Sequence, residues 1–202
     1  MMASGILFYW FSWTLWIIAT FFMKKNRLRT FLAAWILLSI IGSYVYLEIV
    51  TLTFSLSMII LLLGSIVLLT RNKHLFYHTF SAFTVMIGYA GFRFWEILSP
   101  ILMFLPKGIL ITIIFSLLSS ILANNFYSRL SICILGMLAG EWIYQMTVIP
   151  FGFMEIIGEP LFLDHLLSTI LFISFISIAH RGSNVLVVTI RNLRERFRLQ
   201  NQ

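Results

Sequence analysis

The sequence predicts an all-α fold: a polytopic bundle of seven transmembrane helices with the N-terminus outside and the C-terminus cytoplasmic. Three observations predict it. Of 202 residues, 60% are hydrophobic and only 10% are charged, against roughly 25% charged in a soluble domain, so polar surface is too scarce to coat a water-soluble globule. The apolar residues gather into runs of about 20, the length at which a helix rising about 1.5 Å per residue crosses a hydrocarbon core of about 30 Å. Lysines and arginines fall almost wholly in alternate turns between those runs. The same features exclude a disordered chain, a disulfide-stapled module and a coiled coil, because hydrophobicity is high, Cys133 stands alone and no heptad charge pattern occurs.

The first span reads from Gly5 to Met23 and stops at Lys24, Lys25, Arg27 and Arg29. With no positive segment before it and no small-residue cleavage site after it, this run is expected to be retained rather than removed. The second, Phe31 to Leu47, stops at Glu48, and Ile49 to Thr70 follows at once as the third. The fourth runs from Thr79 to Leu98, where Ser99 and Pro100 break it. The fifth begins near Gly108 and ends at Asn124 and Asn125, and the sixth runs from Leu130 to Ile149 before Pro150. The seventh has a short apolar body, Leu166 to Ala179, and must borrow turns from Leu161 to His165 to cross. Residues 1–180 thus form a transmembrane domain and 181–202 a basic cytoplasmic tail.

Charge sets the orientation. With the N-terminus outside, the inner face collects Lys24, Lys25, Arg27, Arg29, Arg71, Lys73, Arg129, Arg181, Arg191, Arg194, Arg196 and Arg198, twelve of the 14 basic residues. Arg93, inside a span, and Lys107, on the outer side, are the exceptions. Glu48, Glu155, Glu159 and Asp164 fall outside. An even number of spans cannot reproduce this partition. The net charge of +7 therefore points to an anionic inner leaflet rather than to nucleic acid. In the tail, Leu186, Ile190, Leu193 and Phe197 recur at helical spacing with Arg191, Arg194 and Arg198 off that stripe, the pattern of an amphipathic helix in contact with inner-leaflet lipid.

A charge near the bilayer centre costs at least about 2.5–3.5 kcal/mol, so those present should be paired or line a polar cavity. Arg93 and Glu96 lie three residues apart on one face of the fourth span, and Glu141 lies near the middle of the sixth. Counted from the cytoplasmic ends, Arg93 is about 21 Å up and Glu141 about 17 Å up, a difference that a guanidinium stem bridges. Two readings follow. One is a buried ion pair fixing helices four and six, with Gly88, Gly91, Gly136 and Gly140 as close-approach positions; the other is a polar pocket in which Glu96 or Glu141 binds a cation or relays a proton.

Other polar residues read as local structure. His74 and His78 have the spacing of one ligand pair at a helix start but lack further ligands, so neither a metal nor another cofactor is expected. Asp164 reads as a helix cap and His180 as a dipole partner at the far end of the last span. Trp10, Trp13 and Trp16 read as an aromatic belt, with a cation-binding cage as the alternative. A nucleophile elbow, a phosphate-binding loop and paired CxxC cysteines are missing, and no lysine lies within a span to carry a retinal Schiff base.

The opening Phe8-Tyr9-Trp10-Phe11-Ser12-Trp13, then Phe21-Phe22-Met23-Lys24-Lys25, with the length and span layout, resembles the YphA-like small polytopic membrane proteins of Bacillus-type bacteria. The resemblance covers nearly the whole chain. It implies an integral protein of the bacterial cell membrane connected with spore envelope assembly, and it supplies no catalytic or binding residues. The expected function is a non-enzymatic membrane scaffold or assembly factor with membrane-protein partners. The alternatives are a small-solute or ion transporter built on Arg93, Glu96 and Glu141, and an intramembrane enzyme with its acid at Glu141 or Asp164.

Overall fold

A computed structural model describes residues 5–49, 52–70, 74–98, 106–152 and 156–200, the side chains of 49 and 181–200 excepted. Seven helices account for most of it: α1 (Ile6–Ile17), α2 (Arg27–Gly42), α3 (Leu56–Thr70), α4 (Leu75–Leu98), α5 (Lys107–Leu122), α6 (Phe126–Val148) and α7 (Pro160–Gln200). A π-helical turn, Ile18–Phe22, extends α1 until Met23 turns extended ahead of the two lysines. The Asn26 side chain then accepts from the Arg27 amide and opens α2. Lys24 and Lys25 in the turn after α1, with Arg27 and Arg29 at the start of α2 and Arg129 at the start of α6, make one end of the bundle basic. Glu48, Glu96, Glu159 and Asp164 make the other end acidic.

Among the described residues, two helices are long and apolar enough on their own to cross a membrane, Phe126–Phe151 and Pro160–His180, and Ile6–Phe22, Leu56–Thr70 and Lys107–Leu122 are shorter apolar helices. Arg27 and Arg29 dilute α2, and Arg93 and Glu96 dilute α4. The last helix takes the turns its short apolar body required, beginning at Pro160, and its backbone continues past residue 180 without a break to Gln200. The side chains of Arg191, Arg194 and Arg198, assigned above to lipid contact, lie outside the described residues.

The expected limits of spans two and three are corrected. Between α2 and α3 the chain forms an antiparallel hairpin, β1 (Tyr46–Ile49) with β2 (Leu52–Ser55), in the register Tyr46↔Ser55 to Ile49↔Leu52. Aromatic and β-branched residues dominate Tyr44–Phe54, and they favour a pleated surface over a helix. Ile157 joins the hairpin: its amide donates to Thr53 O and its carbonyl accepts from Ser55 N, both at 2.9 Å. The acidic end of the bundle is thereby tied across a large sequence separation.

Five helices form a closed circuit, α1 against α2, α2 against α3, α3 against α6, α6 against α7 and α7 back against α1. Helices α4 and α5 stand outside it and buttress α6 and α7. Within the circuit lies an apolar cavity of about 510 Å³. Helix α6 is enclosed nearly all round, with Ile132, Met137 and Leu138 fully buried, as expected for a helix apolar on every side. Close approach relies on small residues, since lipid tails give helices no hydrophobic reason to associate. A Cβ on Gly136 would meet Val85 at 2.6 Å and the Ala82 carbonyl at 2.8 Å, and one on Gly140 would meet the Met86 carbonyl at 2.8 Å. Of the four glycines expected to serve α4 and α6, these two do so. Gly88 faces Phe115 of α5, and a Cβ on Gly91 would meet nothing within 4 Å. On the other side, the Trp35 ring lies over Gly64 and donates from Nε1 to the Ile60 carbonyl at 2.8 Å, joining α2 to α3.

Candidate functional site

Four charged side chains, running from the acidic end into the bundle's interior, meet in a row. On α4, the Arg93 guanidinium donates from Nη1 to Glu96 Oε2 at 3.1 Å, one helical turn away. Because Gly136 and Gly140 let α6 lie close to α4, Arg93 Nε also comes within 3.5 Å of Glu141 Oε2. Lys107, at the start of α5, donates to Glu96 Oε1 at 2.6 Å. The order Lys107, Glu96, Arg93, Glu141 thus alternates in sign, and side-chain exposure along it falls from 51% through 14% and 10% to 0%. Two positive and two negative groups leave the row neutral, the condition under which charges are tolerated at this depth.

Polar and aromatic neighbours complete the shell. Gln145, one turn beyond Glu141 on α6, donates to Glu141 Oε1 at 3.2 Å. Tyr89, buried on α4, is a polar neighbour of the same carboxylate. The Arg93 guanidinium carbon stands 4.4 Å from the centre of the Tyr144 ring, a cation–π contact. His165 of α7 lies against Gly108 of α5, one residue from Lys107. Arg93, Glu96 and Glu141, expected together from their depths, are together. Lys107, Tyr89, Tyr144 and Gln145 were missed. A signal for Lys107 was present: it and Arg93 were the two basic residues that the inner-face partition left over, and both contact Glu96.

Asp164 is a cap, but not of its own helix. Its Oδ2 accepts from the Gly5 amide at 2.8 Å and its Oδ1 from the Phe8 amide at 2.6 Å. A buried carboxylate on α7 therefore satisfies two of the open N–H groups that begin α1 and complements its dipole. Gly5 permits this, since its φ is 93° and a Cβ there would meet Pro160 at 2.9 Å.

The remaining polar candidates do not converge. Trp10 and Trp13 are exposed on α1, and Trp13 packs edge-on to Trp16 at 5.8 Å, so the rings run down one side of the helix instead of enclosing a cage. His74 and His78 sit at the start of α4, where the His78 amide donates to the His74 carbonyl. Cys133 is fully buried with its thiol 3.7 Å from the Met137 sulfur.

Comparison with known proteins gives one family. The family described as YphA-like integral membrane protein matches residues 4–198. The chain is also 26% identical over 144 residues to a Bacillus subtilis (strain 168) protein titled "Uncharacterized protein YphA", covering 70% of this chain and 71% of that one. No solved structure matches.

Proposed function

Because the chain belongs to the YphA-like family of integral membrane proteins, we propose that it is a non-enzymatic scaffold or assembly factor of the bacterial cell envelope. In this reading it crosses the cell membrane seven times, N-terminus outside and C-terminus cytoplasmic. One observation carries the choice over transport or catalysis: Glu141 is fully buried and, with Arg93, Glu96 and Lys107, belongs to a row of charges that neutralise one another. Charges held in that way act as a strut between α4, α5 and α6.

The faces left over are suited to lateral contact. Phe76, Phe80, Phe83 and Ile87 form a stripe down α4 at i, i+4, i+7 and i+11, each at least half exposed. The crossing count is supported by the alternation of basic and acidic ends along seven helices. A reporter fused after Gln202 is expected to read cytoplasmic and one inserted at Glu155 external; both on one side overturns the orientation.

The assembly role is tested by placing a photo-crosslinker at Phe83 and purifying from native membranes of vegetative and of sporulating cells. A discrete membrane-protein adduct is expected, and its enrichment during sporulation is the finer form of the reading. Recovery of lipid adducts alone in both preparations counts against a scaffold.

A further inference from the structure

The cavity inside the five-helix circuit is an elongated slot closed at one end. At the acidic end Phe8, Ser12, Ser39 and Leu167 line it and are all buried. Its lining continues along α7 to Phe175 and Ile178, which are 67% and 70% exposed, so the slot opens toward the basic end. From Leu167 to Ile178 the helical rise is about 16 Å, half of a hydrocarbon core of about 30 Å and therefore the depth of a single leaflet. A volume of about 510 Å³ falls within the range of small-molecule sites, and the walls are almost wholly apolar.

Cations collect at the mouth. Met23 lines the slot, and Lys24 and Lys25 follow it, exposed. Arg29 donates from Nη1 to the Thr20 carbonyl at 3.3 Å, which fixes its guanidinium on the π turn whose Ile18 and Ala19 also line the slot. Across the opening, Phe126 and Tyr127 are lining residues, and Arg129 is held beside them by its Nε bond to the Ala123 carbonyl at 2.7 Å. An apolar slot one leaflet deep with a cationic rim complements one class of molecule.

We propose that this slot holds one acyl chain of an anionic phospholipid of the adjoining leaflet, with its phosphate among Lys24, Lys25, Arg29 and Arg129. The site is independent of the α4 stripe and of the assembly role. Ser12, Ser39 and Ser174 keep the slot open because each leaves the space that a larger side chain would fill; Ser39 and Ser174 turn their hydroxyls back onto Trp35 and Ile170 carbonyls of their own helices.

The test uses the full-length protein purified in mild detergent and titrated with phosphatidylglycerol or phosphatidylcholine of identical chains. Native mass spectrometry is expected to show one phosphatidylglycerol retained in preference to phosphatidylcholine. Lys24→Gln/Lys25→Gln should weaken that binding about thirtyfold, the effect of two cations at a lipid surface, and Ser174→Phe should abolish it while the protein stays folded. Insertion of the chain is read separately in a variant keeping Trp35 alone, with Trp10, Trp13, Trp16, Trp95 and Trp142 changed to Phe. Trp35 lines the slot, so phosphatidylglycerol brominated on its acyl chain should quench it, and more strongly than brominated phosphatidylcholine does. Equal retention and equal quenching by the two lipids, or unchanged lipid binding by a folded Ser174→Phe protein, would overturn the proposal. Should Ser174→Phe not fold, the quenching comparison decides alone.

Discussion

Arg93→Met is expected to destabilise the protein by about 3–5 kcal/mol, the cost of leaving one member of a buried ion pair without the other. The partner left behind is Glu141, with no exposed surface and Gln145 and Tyr89 as polar neighbours. Arg93→Met/Glu141→Gln should recover most of the loss. The glutamine keeps an oxygen for Gln145, methionine fills the space of the arginine stem, and Glu96 retains Lys107. Equilibrium unfolding in mixed micelles over the complete double-mutant cycle measures the coupling. A double variant as unstable as Arg93→Met would remove the strut from the account. A double variant that regains stability but not biological activity would move Glu141 from architecture to chemistry.

Asp164→Ala is the second large effect. Its carboxylate accepts two backbone hydrogen bonds from α1 in a buried setting, and bonds to a charged group contribute about 1.5–3 kcal/mol each. A loss of about 3 kcal/mol or more is expected, with Asp164→Asn intermediate because one acceptor oxygen survives. The damage should be local to the acidic end: cysteine accessibility or hydrogen exchange is expected to rise at Gly5–Phe8 and around Pro160, while α4 and α6 stay protected. Uniform loss of protection, or none, would contradict a cap specific to α1.

What could be read in advance, and what could not, follows from the range over which each rule acts. Helical rise is a local constant, so the meeting of Arg93 and Glu141 was legible in one dimension. Helix α4 begins at Leu75 instead of Thr79 and α6 at Phe126 instead of Leu130; each start moves four residues earlier, and the relative depth is unchanged. Hydropathy alone ran span three directly on from span two, because averaging over a window hides a period of two. The aromatic and β-branched run from Tyr44 to Phe54 carried the hairpin signal. Nothing local announces the bond from Asp164 to Gly5, 159 residues apart, and a cap on another helix has the same composition as a cap on its own. The slot is equally nonlocal, since its walls come from five helices.

The tie between Gly5 and Asp164 also orders biosynthesis. Helix α1 leaves the ribosome well before α7, so it remains without its carboxylate, and the circuit without its closing wall, until α7 has been translated and inserted. Throughout that interval α1 can slide or tilt against α2. Truncation anywhere before Pro160 should yield a chain that inserts but never closes, and membrane proteases that survey loosely packed helices would remove it.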